Sequence, residues 1–226
     1  MKCIVLFSKA PVPGKVKTRL VPPLNHNEAA SLQKSFVFDT LTTLLAKENH
    51  KVFLACHPSS EHPFFKSLKK RYPLTLINQG AGNLGDRMKR TILLLRSKKY
   101  SKIIIVGSDS PTLPCQYIGD GFDKLDKNDL VIGPSIDGGY YLLGVKGDIP
   151  DIFDRIPWGS DAVFEETMVR ARGSAIKTSV LPFWYDIDTI KELRFLVVHL
   201  ASIPENQSVF TRNTIEDLKM QISVRL

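Results

Sequence analysis

The sequence has few cysteines and no long apolar run. These two shortages limit the classes of protein to which it can belong. Its three cysteines, Cys3, Cys56 and Cys115, lack the spacing of a metal-binding set. Cys3 and Cys56 fall in predicted strands, so we expect them to be reduced core residues. No stretch is long enough to span a membrane, and the apolar run near the N-terminus is too short for a signal peptide. These absences predict a soluble, cytoplasmic protein.

Repeats, low-complexity tracts and linker-like segments are also missing. The 226 residues are 43% hydrophobic and 24% charged, which is ordinary for a globular protein. Because no composition shift or linker divides the chain, we predict a single domain over residues 1–226.

Acidic residues are fewer than basic ones. Lysine and arginine number 31 against 23 acidic residues, which gives a formal net charge of +8. Such a balance suits nucleotides, phosphorylated metabolites or nucleic acid, or a basic surface with no dedicated partner. The cations are spread widely, and no long basic run contains aromatics, so nucleic acid is the unlikely partner.

The first loop contains the chain's densest group of cations. The apolar run Cys3–Phe7 predicts a strand buried on both faces, and the loop Lys9–Leu20 follows it. The loop's cations are Lys9, Lys15, Lys17 and Arg19. Two prolines stiffen it, and Gly14 permits a positive φ or close approach of a ligand. It lacks the leading glycine of a Walker A loop, since position 9 is lysine. It predicts a phosphate-binding loop at a strand end, with a solvated basic loop as the alternative.

Strands alternate with helices along the rest of the chain. Further strands are predicted at Lys51–Cys56, Leu74–Ile77, Ile103–Val106, Leu130–Ile132 and Tyr140–Val145, with a strand-like run at Val180–Tyr185. Helix starts are predicted at Asn25, Asn83, Ser160, Thr189 and Asn213, with Glu28, Glu192 and Glu216 completing three capping boxes. In the helix after Asn83, the predicted core face is Leu84, Met88, Ile92 and Leu95. This alternation predicts an α/β fold with a mainly parallel, doubly wound sheet.

Three acidic segments follow predicted strands or precede a predicted helix. Asp109 comes just after Ile103–Val106, where it can hold a divalent cation that bridges phosphates or can simply cap a turn. Asp186 and Asp188 precede a helix, which Asp188 can cap. Asp137 lies beside two glycines, where it can accept hydrogen bonds from an acceptor's hydroxyls or can belong to an ordinary β-turn.

Five segments together resemble a known family. They are K-A-P-V-P-G-K-V-K-T-R-L, Q-G-A-G-N-L-G-D-R-M, G-S-D-S-P-T-L-P, G-P-S-I-D-G-G-Y-Y-L-L-G and Y-D-I-D-T, in this order. The chain resembles a poorly characterised family of GT-A-like nucleotide-diphospho-sugar transferases, related to molybdenum cofactor and 2-phospholactate guanylyltransferases. The resemblance implies a three-layer α/β/α sandwich with a mainly parallel central sheet.

The resemblance also implies roles for individual residues. The implied nucleotide-binding residues are Lys9, Gly14, Lys15, Arg19, Gly85 and Arg87. The implied ligands of Mg²⁺ or Mn²⁺ are Asp109, Asp186 and Asp188. The implied acceptor-side residues are Asp137, Gly138, Gly139, Tyr140 and Trp158. Asp109 and Asp137 are the expected catalytic residues.

The expected activity is glycosyl transfer from a nucleotide sugar to a small-molecule acceptor, with a divalent metal. The alternative is nucleotidylyl transfer, in which a phosphorylated acceptor attacks the α-phosphate of a nucleoside triphosphate and releases pyrophosphate. An alternative of another class is a non-catalytic nucleotide sensor.

Overall fold

A seven-stranded sheet is the frame of the fold. The structure is a computed structural model, and it describes residues 1–46, 49–148 and 152–223. The strands are β1 (Lys2–Lys9), β2 (Lys51–His57), β3 (Thr75–Asn78), β4 (Lys102–Gly107), β5 (Leu130–Pro134), β6 (Tyr140–Lys146) and β7 (Thr178–Val180). Their order across the sheet is β3-β2-β1-β4-β6-β5-β7. β6 runs antiparallel to its neighbours β4 and β5, and the other pairs are parallel. The predicted α/β class with a mainly parallel sheet is confirmed.

Helices cover both faces of this sheet. They are α1 (His26–Leu45), α2 (Pro63–Arg71), α3 (Leu84–Ser97), α4 (Cys115–Lys124), α5 (Val163–Gly173), α6 (Ile190–Ser202) and α7 (Val209–Ser223). Apolar residues of α1, α2 and α4 pack on one face, and those of α3 and α5 on the other. α6 and α7 lie outside this frame, where they pack on the outer side of α1 in a third cluster. The two faces give the three layers that the family resemblance implies.

The central strands are apolar along their whole length because both of their faces are covered. In β1, Ile4 and Leu6 face the α1 side, whereas Cys3 and Val5 face the α3 side. Cys3 and Cys56 are buried, free thiols, as predicted, and burial raises the pKa of each to about 12. No helix in the described ranges is both long and apolar enough to cross a bilayer.

The predicted helix starts have two outcomes. Asn25, Asn83 and Thr189 cap α1, α3 and α6, each in a complete capping box. The prediction at Ser160 was wrong, because α5 begins at Val163 and the Ser160 hydroxyl accepts from the Ala162 N–H one turn earlier. The prediction at Asn213 was also wrong, because this residue lies inside α7.

Three further elements differ from the prediction. Leu84 is 44% exposed and lies at the rim of a cleft, so the buried face of α3 starts at Gly85 instead. The strand-like run at Val180–Tyr185 contributes only its first residue to β7, after which Trp184 forms a single bridge with Ser135. α4 was not predicted; its two glycines weaken the helical pattern, yet a Cβ at Gly121 would lie 3.1 Å from Ile104 Cδ1.

The start of α7 depends on a carboxylate from α1. Asp39 is only 4% exposed, and its Oδ1 accepts from the Phe210 N–H at 3.1 Å. Its Oδ2 accepts from the N–H of Thr211 at 2.7 Å and from the Thr211 hydroxyl at 2.6 Å. Burial raises the pKa of Asp39, and these hydrogen bonds oppose that shift. The helix is therefore capped by a residue 171 positions away, which local sequence does not reveal.

We predict that Asp39→Ala lowers the free energy of unfolding by about 1–3 kcal/mol, because it leaves buried donors of α7 without an acceptor. Urea unfolding measures the change. Thr42→Ala is the matched control, since Thr42 lies on the exposed side of the same helix and its hydroxyl only bonds back to the Phe38 carbonyl. Equal stability of the two variants would contradict this role of Asp39.

Candidate functional site

A cleft of about 790 Å³ opens at the C-terminal ends of β1 and β4. The chain builds the sheet outward from β1 to β3 on one side and continues with β4 on the other, so strand order reverses between β1 and β4. Ligands of open α/β sheets bind at such a reversal. The predicted site residues that line this cleft are Lys9, Lys15, Arg19, Arg87, Asp109, Asp137, Gly139, Tyr140, Trp158, Asp186 and Asp188. Gly14, Gly85 and Gly138 were predicted with them but do not line it.

The basic loop forms one wall of the cleft. Gly14 has a φ of 74°, as its predicted role requires, and the loop then enters a single 3-10 turn at Thr18–Leu20. The side chains of Lys9, Lys15 and Arg19 form no ion pair within the described part of the chain. Three cations that form no direct ion pair within the described residues therefore lie at the end of β1.

Lys17 behaves differently from the other cations of this loop. Its backbone is left-handed, with a φ of 48°, and its side chain is only 3% exposed. The ammonium Nζ lies 2.5 Å from Asp109 Oδ1, 2.9 Å from Asp188 Oδ1 and 2.7 Å from the Ile187 carbonyl oxygen. Burial by itself favours the neutral amine, but the two carboxylates outweigh it and raise the pKa of Lys17. Lys17 is thus a fixed positive charge with three oxygen partners.

The carboxylates opposite this loop come from two segments. Asp109 follows β4, and the Ile187 N–H donates to its carbonyl oxygen at 2.9 Å. Around Ile187 the chain is extended, so Tyr185 and Ile187 are buried in the third apolar cluster while Asp186 and Asp188 line the cleft. This alternation explains why both predicted carboxylates reach the same site.

The environments of Asp186 and Asp188 differ. Burial, followed by the nearby charge of Asp109, raises the pKa of Asp186 to about 7, and the Ser110 hydroxyl donates to its Oδ1. Burial also opposes ionisation of Asp188, but Lys17, Arg19 and Lys9 outweigh this effect and lower its pKa. Asp188 is therefore a partner of the basic loop, whereas Asp186 lies in a surplus of negative charge.

Hydrogen bonds fix the two acidic segments relative to each other. The Thr112 hydroxyl donates to the Tyr185 hydroxyl at 3.0 Å, which in turn lies 2.5 Å from His199 Nδ1. Gln33 Nε2 donates to the hydroxyl of buried Ser108 at 3.0 Å. The end of β4 is thereby held to α1 on one side and to the segment before α6 on the other.

The start of α3 forms the floor between the two walls. Arg87 is held by its Nε, which donates to the Gly82 carbonyl at 3.0 Å, and its Nη1 lies 3.4 Å from His57 Nδ1. Gln79 Nε2 donates to the Ser8 and Ala55 carbonyls and so links the ends of β1 and β2. A Cβ at Gly85 would lie 2.5 Å from the Trp158 ring, so this glycine serves the packing of Trp158.

The β5–β6 hairpin forms the remaining wall. Because β6 is antiparallel, the hairpin tip lies at the same edge of the sheet as the ends of β1 and β4. Asp137 is exposed, and its Oδ1 accepts from the Gly139 N–H at 3.0 Å. Gly138 has a φ of 88°, and a Cβ there would lie 1.9 Å from the Asp161 carbonyl oxygen. The glycine therefore lets the segment before α5 pack onto the tip.

The carboxylates suit a hard divalent cation only in part. Carboxylate oxygens are the ligands that Mg²⁺ and Mn²⁺ prefer, and Asp186 lies in an excess of negative charge that a cation would relieve. Asp109 and Asp188 each already pair with Lys17 through one carboxylate oxygen. Within the described ranges, no group of three or more His, Cys, Asp or Glu side chains is arranged to hold a metal ion. Asp186 and Asp109, whose charge acts most strongly on Asp186, fit a cation best, and phosphate oxygens of a ligand would supply further oxygen atoms.

Sequence reasoning missed three features of the cleft. Lys17 was counted among the loop cations, but nothing in its neighbourhood distinguishes it from Lys15. Gln79 is uncharged, so the pattern of charged residues does not indicate it. Asp161 also lines the cleft; its position after Trp158-Gly159-Ser160 was the available signal.

Comparisons with known proteins agree with this architecture. A 2-phospho-L-lactate guanylyltransferase of Methanothermobacter thermautotrophicus is 24% identical over 188 residues, which are 81% of this chain and 79% of that protein. A crystal structure from Desulfovibrio desulfuricans G20, provisionally named a nucleotide-diphospho-sugar transferase, is 30% identical, with a TM-score of 0.88. The alignment covers 98% of this chain and 96% of that one.

A more distant structure supports the fold alone. A cytidylyltransferase from Leptospira borgpetersenii serovar Hardjo-bovis has a TM-score of 0.56 at 13% identity and covers 99% of this chain and 95% of its own.

The family comparison is more direct. Residues 40–160, more than half of the chain, match the family described as an uncharacterized protein conserved in bacteria (DUF2064). The chain belongs to this family, and its fold is that of the nucleotide-diphospho-sugar transferases and cytidylyltransferases.

Proposed function

We propose that this protein is a nucleotidylyltransferase that binds a nucleoside triphosphate in the cleft between β1 and β4. The observation that carries the proposal is the group of three cations, Lys9, Lys15 and Arg19, which line the cleft at the end of β1 and form no ion pair with any carboxylate in the described part of the chain. A triphosphate carries more negative charge than the diphosphate of a nucleotide sugar, so three such cations suit it better. Arginine and lysine are the side chains that bind phosphate oxygens most strongly.

In this reaction an oxygen of the acceptor forms a bond to the α-phosphorus while the bond from that phosphorus to the bridging oxygen breaks. The pyrophosphate that leaves takes up negative charge. Lys15 and Arg19 line the cleft beside that charge and would neutralise part of it. Lys17 does not bind the phosphates directly in this scheme; it holds Asp109 and Asp188 in place.

A divalent cation fits the same scheme at Asp109 and Asp186. When bound, Mg²⁺ or Mn²⁺ would neutralise charge on the phosphates. The position of Asp109 is fixed by the hydrogen bond from the Ile187 N–H to its backbone carbonyl and by the ion pair of its side chain with Lys17.

The similarity to a guanylyltransferase over four-fifths of the chain supports nucleotidylyl transfer. Glycosyl transfer from a nucleotide sugar is the second candidate, and the provisional name of the 30% identical structure favours it. The cations and the metal ligands would act on the diphosphate in that reaction, so the two candidates differ in donor.

Thermal-shift measurements with nucleoside triphosphates and nucleotide sugars, each with Mn²⁺ and with chelator, separate the candidates. A ligand at a hundredfold over its Kd should add about 2.7 kcal/mol of stability. We expect a metal-dependent shift from a triphosphate and release of pyrophosphate with an acceptor. A shift from nucleotide sugars alone would favour glycosyl transfer. Triphosphate binding without turnover on any acceptor would favour a nucleotide sensor.

We predict that Lys15→Ala weakens binding of the preferred triphosphate about 10- to 100-fold, because one charge-assisted phosphate contact contributes roughly 1.5–3 kcal/mol. Calorimetric titration measures the change. Lys70→Ala is the control; Lys70 is an exposed lysine on α2 that does not line the cleft. If both variants bind as the wild type does, Lys15 does not contact the phosphates.

We predict that Lys17→Met destabilises the fold by about 1–3 kcal/mol, because Asp109 and Asp188 then face each other without their shared cation. Their side chains are 41% and 45% exposed, which keeps the cost below that of a fully buried pair. Urea unfolding measures it, with Lys15→Met as the exposed control. Adding Asp188→Asn to Lys17→Met should restore part of the loss. No recovery in the double variant would mean that the carboxylates do not repel each other.

A further inference from the structure

We propose that the acceptor is an uncharged or cationic polyhydroxylated small molecule, and not a phosphorylated one. The proposal rests on the proposed function, in which donor and acceptor share one cleft. It comes from the distribution of charge along that cleft. A donor half carries Lys9, Lys15, Arg19 and Arg87. An acceptor half, formed by Asp137, Gly139, Tyr140, Trp158, Ser160 and Asp161, carries negative charge only.

The two halves differ by the elements that form them. The donor half comes from the loop after β1 and the start of α3, which contribute four cations. The acceptor half comes from the β5–β6 hairpin tip and the segment before α5. Among the described residues that line it, none is Lys, Arg or His.

Negative charge in the acceptor half is also continuous with the acidic centre of the cleft. Asp137 and Asp161 line the same cleft as Asp109 and Asp186. The backbone of Asp161 packs against Gly138, the residue after Asp137. A phosphate or carboxylate on the acceptor would therefore meet like charge from Asp137 and Asp161.

The same groups suit hydroxyls. Carboxylate oxygens accept hydrogen bonds from O–H and N–H donors, and the Ser160 hydroxyl can give or accept one. Trp158 and Tyr140 add apolar surface beside them, with their rings packed edge to face at 6.4 Å. Gly159 has no heavy atom within 4 Å of where its Cβ would lie, so the wall is open at that point.

With an acceptor of this class, the reaction must also remove the proton of the attacking hydroxyl. A phosphate acceptor attacks as an anion, whereas a hydroxyl must lose a proton as its oxygen bonds to the α-phosphorus and pyrophosphate leaves. Asp137 is the group that accepts this proton. Its Oδ1 is occupied by the Gly139 N–H, and its Oδ2 has no hydrogen-bond partner in the described part of the chain.

The first experiment measures the charge of each half without any substrate. Ser160→Cys and Thr18→Cys each place one thiol on an exposed cleft position, in the acceptor and donor halves respectively. Both are made with Cys115→Ser, since Cys3 and Cys56 are buried. The thiols are then modified with a cationic and an anionic methanethiosulfonate of equal size, and free cysteine gives the reference ratio of rates.

We expect the ratio of cationic to anionic rates at Ser160→Cys to exceed the reference at least tenfold, and the ratio at Thr18→Cys to fall below it. Adding Asp137→Asn and Asp161→Asn should bring the ratio at Ser160→Cys back toward the reference. Equal ratios at the two positions, or a preference for the anionic reagent at Ser160→Cys, would overturn the proposal.

The second experiment uses three sugars of one shape: glucosamine, glucose and glucose 1-phosphate. Each is tested, with triphosphate and Mn²⁺ present, for slowing modification of the Ser160→Cys thiol. We expect the phosphate ester to require at least tenfold higher concentration than the other two. Protection by glucose 1-phosphate at the lowest concentration, or by none of the three sugars, would overturn the acceptor class. Calorimetry of triphosphate binding on the same proteins tests the proposed function separately. If the protein binds no triphosphate, the proposed function fails, but the ratios of the reagent rates do not change.

Discussion

The buried ammonium of Lys17 is the interaction on which the geometry of the cleft depends. It joins three segments that are distant in sequence: the loop after β1, the end of β4 at Asp109, and the extended segment that contains Ile187 and Asp188. An ammonium in so little solvent is stable only with several oxygen partners, and these three supply them. The segments are therefore held in one arrangement by charge, and the third apolar cluster holds Ile187 from behind.

Charge in the cleft follows from sheet topology. Parallel strands bring the loops after β1 and β4 to one edge, and the antiparallel β6 brings the tip of its hairpin to the same edge. Because each loop follows a different strand, the sign of the charge on one loop does not depend on the sign of the charge on another. The result is a row of cations, a central acidic group and an acidic hairpin in one cleft of about 790 Å³. A phosphate chain and an uncharged or cationic acceptor meet at the central group in the reaction that we propose.

Sequence patterns predict the parts of this structure that local physics controls. The buried strands are continuous apolar runs, and three helix starts have both members of a capping box nearby, as at Asn25. Lys17 was not distinguished from Lys15 because its burial depends on partners 92 and 171 positions away, beyond any local pattern. Leu84 fits the apolar stripe of α3, but it lines the cleft and is 44% exposed. The start of α7 was misplaced for the same reason that Lys17 was overlooked. Its cap is Asp39, which is distant in sequence.

The bond between Asp39 and α7 has a consequence for synthesis on the ribosome. The outer side of α1, with Leu32 and Phe36, is covered by α6 and α7, and the first N–H group of α7 that Asp39 caps lies 171 positions after it in the chain. While the chain emerges, α1 can dock on the sheet with its inner side, but its outer apolar side stays in water until α6 and α7 have been made. During that interval this surface is a place where chaperones can bind and where nascent chains can associate with one another.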